Sequence, residues 1–125
     1  MDPIADLVST IKNCQAVRKN RAEVGYSKIK EGICRILSRN VIIDHFEIKK
    51  DNGRQVIVMY LKDDQRIYHL RRISKPGRRV YVKSRDIKTP LSGLGFLIIS
   101  TPRGIVESRE AKKLGLGGEI ICEVW

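Results

Sequence analysis

The hydrophobic residues near the start of the chain recur every three or four positions, which is the period of an amphipathic helix. Asp2 followed by Pro3 is typical of a helix start, because the carboxylate can cap the first turn and proline already has a helical φ. The predicted helix runs from there toward Asn20. Its buried face is predicted to consist of Ile4, Leu7, Val8, Ile11 and Cys14.

A second stretch with helical spacing follows. Ser27 can cap this helix with its hydroxyl. Asn40 is predicted to end it, because asparagine tolerates the left-handed conformation that closes many helices. The residues predicted to point inward are Ile29, Ile33, Ile36 and Leu37.

Beyond the second helix the period changes to two, which is typical of strands. Residues 43–49 and 55–61 are predicted strands, and Asp51-Asn52-Gly53 between them predicts a tight hairpin turn, since such a turn needs positive φ. The resulting order is helix-strand-helix-strand-strand. We therefore expect residues 1–64 to form an α/β N-terminal lobe that ends at Asp63-Asp64.

Strands dominate the rest of the chain, residues 65–125. Residues 67–73 and 79–82 are predicted strands on either side of Lys75-Pro76-Gly77-Arg78, a turn in which Gly77 is expected to accept positive φ. The further predicted elements are a single turn capped by Ser84, a loop at 89–95, a hairpin of strands 96–99 and 105–107, a helix capped by Ser108 and ending at Gly115, and a strand at 119–125 with Ile120, Cys122 and Val124 facing inward.

The predicted fold is thus an α/β N-terminal lobe packed on a mostly antiparallel α+β C-terminal lobe. Each lobe is small, so we expect them to share a core. No apolar run approaches the roughly 20 residues of a membrane-spanning helix, and the N-terminus opens with an acidic residue. Neither a membrane partner nor secretion is therefore expected.

The three cysteines, Cys14, Cys34 and Cys122, are odd in number and far apart in sequence. This spacing is poor for disulfides and for zinc. Cys14 and Cys122 both continue apolar stripes, at helical and at strand spacing. We expect all three to be reduced thiols that pack as small hydrophobic residues.

Positive charge is concentrated in part of the chain. There are 25 Lys and Arg against 14 Asp and Glu, a net charge of +11. Residues 62–89 hold ten basic and three acidic side chains, and residues 12–30 hold a second excess. A concentrated basic surface usually has a polyanionic partner, most often nucleic acid. The alternative is a soluble basic protein without such a partner.

Motifs for catalysis or cofactor binding are incomplete. Two glycine-rich stretches, 93–95 and 115–118, lack the third glycine of a dinucleotide fingerprint, and no phosphate loop is present. His45 and His69 have no partner at ligand spacing. We therefore expect neither an enzyme nor a bound cofactor or metal.

The stretch Ile-Ser-Thr-Pro-Arg-Gly, residues 99–104, is a short polar tip between two apolar runs. Ser100 and Thr101 can each donate and accept a hydrogen bond, and Arg103 offers a planar fork for phosphate or guanine. Such a tip suits the wide, shallow groove and the 2′-hydroxyls of RNA better than the major groove of DNA. It predicts an RNA contact.

Tyr81 is an aromatic residue of the basic segment, and Arg78, Arg79, Lys83 and Arg85 flank it. Its side chain is expected to point away from those of its strand neighbours, and so away from the core. A ring in this setting can stack on an unpaired base while the cations hold phosphates. The alternative is an ordinary exposed strand tyrosine.

Three stretches resemble one protein family. "GLGFLIISTPRGIVESREAKKLGLGGEIICEVW", Gly93–Trp125, closely resembles the C-terminal signature of bacterial-type small-subunit (30S) ribosomal protein eight. "RRISKPGRRVY" and the opening "DPIADLVSTIKN" resemble two further stretches of that family. The resemblance implies a structural protein of the ribosome, cytoplasmic or organellar. It also implies direct, early binding to the central domain of the small-subunit ribosomal RNA, which helps to assemble the platform.

The resemblance also implies which residues and partners take part. Together with the basic segment, it predicts an RNA-binding set of Ser100, Thr101, Arg103, Gly117, Gly118, Glu119, Tyr81, Lys75, Gly77, Arg72, Arg79 and Arg85. Cys122, which matches a family cysteine, is expected to support the loops. The implied partners are small-subunit proteins five and twelve and, in some relatives, the messenger RNA of their own operon.

The chain departs from the family pattern at two places. Pro102 replaces a serine that many members have, so one side-chain contact to RNA is in doubt. Arg39-Asn40-Val41 replaces glutamate-glycine-aromatic at the end of the second helix. Two other functions stay open: an enzyme acting on phosphorylated substrates, and a generic RNA- or DNA-binding module outside the ribosome.

Overall fold

The structure is a computed structural model, which describes residues 2–62, 69–88 and 95–125. The chain divides into two compact units, Met1–Ile67 and Tyr68–Trp125. The predicted boundary at Asp63-Asp64 and most of the predicted loop at 89–95 lie outside the described residues. Helices and two mostly antiparallel sheets make up the fold, so the predicted combination of elements is confirmed and the class is α+β. No helix among the residues described is long and apolar enough to cross a membrane.

Two helices belong to the first unit, α1 at Pro3–Ala16 and α2 at Lys28–Arg39. Asp2 caps α1 by accepting from the N–H groups of Ile4 and Ala5 at 3.2 and 3.3 Å. Ser27 caps α2 by accepting from the N–H of Lys30 at 3.2 Å. Both predicted caps are confirmed. The buried face of α1 is also as predicted: Ile4, Leu7, Val8, Ile11 and Cys14.

One position of the predicted inward face of α2 is wrong. Ile29 is 43% exposed, whereas the adjacent Lys30 is buried. The Lys30 ammonium donates to the carbonyl of Gly25 at 3.0 Å and pairs with Asp6 at 3.3 Å. These partners replace water around the charge, which lets a lysine occupy the inward side of the first turn.

The end of α2 also differs from the prediction. Asn40 has a φ of −94°, and the next residue, Val41, is the left-handed one with a φ of 62°. The N–H groups of Val41 and Ile42 donate to the carbonyls of Ser38 and Leu37 at 3.1 and 2.9 Å. This pair of bonds is a Schellman motif, whose left-handed position follows the cap residue. A β-branched side chain is strained in that conformation.

The sheet of the first unit contains β1 at Arg21–Gly25, β2 at Ile43–Asp51 and β3 at Arg54–Leu61. The strand order is β1-β3-β2, and both pairs are antiparallel. The predicted hairpin turn is confirmed, since Asn52 and Gly53 have φ values of 51° and 79°. β2 is two residues longer than the predicted strand because the ladder continues to the turn itself.

The second unit is built around one central strand, β8 at Gly118–Val124. The others are β4 at Leu70–Arg72, β5 at Tyr81–Val82, β6 at Phe96–Thr101 and β7 at Gly104–Glu107. The order is β4-β8-β6-β7, with β5 also paired to β8, and all these pairs are antiparallel. β4 and β5 are shorter than the predicted strands. The described part of this unit also contains a 3₁₀ turn at Ser84–Asp86 and helix α3 at Ser108–Leu114.

Helix α3 covers a hydrophobic cluster on one face of this sheet. The cluster consists of Ile87, Leu97, Ile99, Val106 and Ala111, with Val82 and Ile120 partly buried against it. A bulge in β8 interrupts its predicted alternation, since Ile98 pairs with Cys122 but Ile99 pairs with Ile120. The extra residue, Ile121, is therefore buried as well, while Ile120 is only partly buried.

Three local predictions in the second unit are wrong. Gly77 has no positive φ, so the turn at residues 75–78 does not need its conformational freedom. Ser84 is the first residue of the 3₁₀ turn, and no side chain caps that turn. Ser108 likewise lies inside α3, and its hydroxyl accepts from the N–H of Leu97 at 3.0 Å. The predicted end of α3 is confirmed, because Gly115 has a φ of 69°.

All three cysteines are free and buried, as predicted. Burial raises the pKa of Cys122 to about 12, although the charge of Arg72 acts in the opposite direction. Burial likewise raises the pKa of Cys34 to about 12. Both thiols are therefore protonated at neutral pH and act as packing groups.

Candidate nucleic-acid interface

Three of the predicted site residues form one row across the second sheet. Glu119 of β8 is paired with Tyr81 of β5 on one side and with Ser100 of β6 on the other. Residues directly opposite in antiparallel strands present their side chains to the same face. We call Tyr81, Glu119 and Ser100 the polar row. Because side chains alternate along a strand, the polar row lies on the face opposite α3 and the Ile99 cluster.

Tyr81 is the most exposed residue of the polar row. Its relative exposure is 70%, as expected for a strand residue that points away from the core. Ser100 is half-buried, and the Glu119 side chain is mostly covered. The polar row therefore presents the exposed ring of Tyr81 beside two less exposed polar side chains, those of Ser100 and Glu119.

The tip of the β6–β7 hairpin is braced from within. Thr101 and Gly104 are the last paired residues, so Pro102 and Arg103 form a two-residue connection. The Thr101 hydroxyl donates to the carbonyl of Gly104 at 2.9 Å and accepts from the N–H of Arg103 at 3.2 Å. Gly104 has a φ of 106°, which strongly favours glycine. The turn thus holds its shape through its own threonine, while Pro102 and Arg103 are exposed.

This bracing corrects the role expected of Thr101. The residue is only 9% exposed, and its hydroxyl is engaged inside the turn. Ser100 and Thr101 are neighbours in a strand, so their side chains point to opposite faces and cannot both meet one ligand surface. Ser100 and Arg103 are the side chains of the tip that remain available.

The two glycines before Glu119 are sites of close backbone approach. A Cβ on Gly118 would collide with the carbonyl oxygen of Ser100 and lie 2.9 Å from its carbonyl carbon. A Cβ on Gly117 would collide with the carbonyl oxygen of Val82 and lie 2.9 Å from the Cα of Lys83. The start of β8 therefore fits between β5 and β6 only because residues 117 and 118 are glycines. This close fit brings the three residues of the polar row next to one another.

Glu119 is held by two hydrogen bonds to one of its oxygens. Its Oε2 accepts from the Ser74 hydroxyl at 2.5 Å and from Nη1 of Arg79 at 3.0 Å. Burial alone would raise the pKa of Glu119, but these hydrogen bonds and the charges of Arg79 and Arg72 outweigh it and hold the pKa below its ordinary value. The carboxylate is therefore ionised at neutral pH. Among the described contacts, Oε1 accepts no hydrogen bond.

Ser74 supports the candidate site, and the sequence did not predict this. It is 1% exposed, and its hydroxyl both donates to Glu119 and accepts from the N–H of Val80 at 3.0 Å. It thereby ties the turn at residues 75–78 to β8. A serine directly before a predicted four-residue turn is the one signal that pointed to it, because hydroxyls there commonly bond to the backbone.

Two of the predicted phosphate contacts have partners inside the protein. Arg79 makes an ion pair with Glu119 at 3.0 Å. Arg72 donates from Nε to the carbonyl of Ser74 at 2.7 Å. Both therefore support the Glu119 site, and phosphate contact by either one stays a prediction.

Several other cations of the second unit are unpaired. Within the described parts of the chain, no acidic side chain lies within ion-pair distance of the following residues: Lys75, Arg78, Lys83, Arg85 and Arg103. All five are exposed. An unpaired cation can neutralise a phosphate without breaking an existing ion pair. Lys75 and Gly77 lie in the turn next to Ser74, so the structure brings them close to the row.

Comparison with known proteins shows the family of this chain. The family model described as Ribosomal protein S8 matches residues 2–125. The small ribosomal subunit protein uS8 of Thermus thermophilus is 45% identical over 135 residues, which cover 99% of this chain and 98% of that protein. The chain belongs to the ribosomal protein S8 family. The protein of the same name from Geobacillus kaustophilus is 44% identical over 128 residues, covering 99% of this chain and 97% of that protein.

Family membership confirms the resemblance found in the sequence, and the match extends through both units of the chain. Every predicted site residue of the S8 family member lies in the second unit, between Arg72 and Glu119. The structure brings together Tyr81, Ser100, Gly117, Gly118 and Glu119, and it places Ser74, Arg72 and Arg79 behind them. It separates Thr101 from this surface.

Proposed function

We propose that this chain binds the central domain of small-subunit ribosomal RNA directly, through the polar row and the tip of the β6–β7 hairpin, and so helps to assemble the platform. The observation that carries the proposal is the polar row on the face of the sheet away from α3, in a unit whose described residues include five exposed, unpaired cations. The broader role follows from the family: the chain is a structural, non-enzymatic protein of the small subunit of the cytoplasmic ribosome.

The polar groups of the row suit the minor groove of RNA. That groove displays 2′-hydroxyls and the amino group of guanine, which are hydrogen-bond donors. Oε1 of Glu119 is an ionised acceptor, and the Ser100 hydroxyl can both accept and donate. A charged acceptor makes a stronger hydrogen bond than a neutral one, so Glu119 is expected to supply most of the selection.

Tyr81 adds a stacking surface at the edge of the row. Because its ring is exposed and makes no described aromatic contact within the protein, it can lie on an unpaired base or a ribose. Base–aromatic stacking contributes about 1–3 kcal/mol per base.

The unpaired cations supply affinity without selection. Arg103 lies at the tip, and Lys75 and Arg78 lie in the turn beside Ser74. Lys83 directly follows β5, and Arg85 lies in the 3₁₀ turn. Each phosphate that they neutralise releases counterions, with a log-log salt slope of about 0.7 to 0.9 per contact. Thr101, Gly117 and Gly118 position the groups that meet the RNA. Arg72 and Arg79 support Glu119 and its anchor Ser74, and a phosphate contact by either one stays a prediction.

Equilibrium binding with paired variants tests the proposal. Replacing Ser100 and Arg103 together by alanine is expected to weaken binding to a central-domain transcript about 100-fold, since each good contact is worth roughly 1–3 kcal/mol. The matched control is Ser9→Ala with Arg54→Ala, which removes an exposed hydroxyl and an exposed guanidinium from the first unit. Equal affinities of the two double variants, in proteins that unfold at the parent's temperature, would contradict the proposal.

Competition separates this function from a generic nucleic-acid-binding module. At matched salt, competitor RNA of the same fold should displace the chain from the central-domain transcript. Duplex DNA of equal length should not displace it. Displacement by either nucleic acid at equal concentration would favour the generic module. Contacts with small-subunit proteins five and twelve, and binding to the messenger RNA of its own operon, stay predictions.

A further inference from the structure

A second basic surface lies on the other side of the same sheet. An open cleft of about 480 Å³ is lined by Ile87, Lys88, Ser108, Arg109 and Lys112. Ile87 belongs to the hydrophobic cluster beneath α3, and that cluster occupies the face opposite the polar row. The cleft therefore opens away from Tyr81, Glu119 and Ser100. None of its residues is in the predicted RNA-binding set.

Three cations from two elements converge on this cleft. Lys88 follows the 3₁₀ turn, whereas Arg109 and Lys112 lie on α3 at a spacing of three residues, which places them on one helix face. The Arg109 guanidinium lies 3.6 Å from Glu107, which restrains it beside the cleft. Neither Lys88 nor Lys112 forms an ion pair with an acidic residue in the described ranges. Two unbalanced charges therefore face the cleft.

The chemistry of the lining favours a chain of phosphates over other ligands. Among the described residues of the lining, Ile87 is the only hydrophobic side chain, so this part of the cleft has little to offer an apolar molecule. The Ser108 hydroxyl is already engaged with the N–H of Leu97 and does not select a ligand. Exposed cations in an open cleft suit a partner whose negative charges recur at intervals, and the phosphodiester backbone of RNA is such a partner.

We propose that the cleft between Lys88 and α3 binds the phosphate backbone of a second segment of ribosomal RNA, distinct from the segment bound by the polar row. A rigid RNA helix lying on the polar row is on the wrong side of the sheet to place its phosphates in the cleft. The inference rests on the proposed function. It adds that the second unit is held between two RNA segments and so fixes their relative position.

The test compares a cleft variant with a matched charge control. The cleft variant is Lys88→Gln with Lys112→Gln. The control, Lys50→Gln with Lys113→Gln, removes the same charge from exposed lysines that do not line the cleft, one of them on α3 itself. Filter binding is measured with the full central-domain transcript and with the shortest fragment that still distinguishes the parent from the Ser100→Ala, Arg103→Ala variant.

On the full transcript, the cleft variant should bind about 10- to 60-fold more weakly than the parent at 0.1 M salt, and its log-log salt slope should be smaller by about 1.4 to 1.8. On the short fragment it should bind like the control. An unchanged slope on the full transcript would overturn the inference. An equal loss of affinity for both RNAs, or an equal loss of affinity in the control variant, would also overturn it. So would a cleft variant that binds RNA normally and loses only its association with an acidic ribosomal protein. If the parent shows no preference for the central domain, the proposed function itself fails.

Discussion

Ser74→Ala is the substitution that most directly tests how the Glu119 site is built. The change removes one oxygen from a residue that is 1% exposed, and that oxygen bridges two groups. It donates to Oε2 of Glu119 at 2.5 Å and accepts from the N–H of Val80 at 3.0 Å. Alanine can replace neither bond.

The expected cost follows from these two bonds. A hydrogen bond to a charged group contributes about 1.5–3 kcal/mol, and a buried backbone donor left without a partner costs about 1–3 kcal/mol. Because both losses share one atom and the region can relax, we expect a total of about 2–4 kcal/mol rather than the full sum. The pKa of Glu119 should also move up toward its ordinary value, since Ser74 is one of the groups that lower it.

Urea unfolding followed by tryptophan fluorescence measures this cost. Trp125 is the single tryptophan and stacks on His69 with ring centroids 3.6 Å apart, so its emission reports on the second unit. A loss of about 2–4 kcal/mol should lower the urea midpoint by roughly 1–2 M. The control is Ser84→Ala in the same unit, whose hydroxyl caps nothing and should matter by less than about 0.5 kcal/mol. Equal midpoints for the two variants would refute the reasoning.

Three further substitutions and one control test separate features of the structure. Val41→Gly should raise the free energy of unfolding by about 1 kcal/mol, because glycine adopts the left-handed φ of 62° without strain; a lower urea midpoint would contradict this. Gly118→Ala should destabilise the second unit by about 3 kcal/mol, since the added Cβ meets the backbone of Ser100. Gly25→Ala, where nothing lies within 4 Å, should change stability by less than about 0.5 kcal/mol, and similar losses in both would count against the close-approach argument. Glu119→Gln tests the lowered pKa of Glu119. A carboxyl group whose pKa is lower in the folded state stabilises the fold at pH values above its unfolded-state pKa, and this stabilisation is lost as the pH falls through its folded-state pKa. The parent should therefore lose more stability than the variant between about pH 5 and pH 3, and parallel losses would mean that the pKa is not lowered.

Elements with a regular hydrophobic period could be predicted from the sequence. The buried face of α1 and the hairpin at Asn52-Gly53 follow from local rules, because spacing and turn chemistry act over a few residues. The left-handed residue after α2 could not be placed, since the rule that favours asparagine or glycine was overridden by helix geometry at Val41. Lys30 was missed for a related reason: its partners Asp6 and Gly25 are brought to it only by the fold.

The candidate site likewise has some features that local sequence patterns predict and others that only the folded chain creates. The exposure of Tyr81 follows from strand alternation, so the sequence predicted it. The internal role of Thr101 and the anchor at Ser74 depend on bonds to groups that only the folded chain brings close. The same is true of the pairing between Arg79 and Glu119, which are 40 residues apart. Charge could be counted in the sequence, but which cations are already neutralised could not.

Hydroxyl-radical footprinting of the purified chain on intact small-subunit ribosomal RNA tests the central claim most directly. The account predicts protection of a compact set of riboses in the central domain, because the polar row and the tip meet the sugar edge of the groove. That protection should disappear in the Ser100→Ala, Arg103→Ala variant and persist in the Ser9→Ala, Arg54→Ala control. Protection spread evenly over the RNA, or central-domain protection that the first variant leaves intact, would contradict the account.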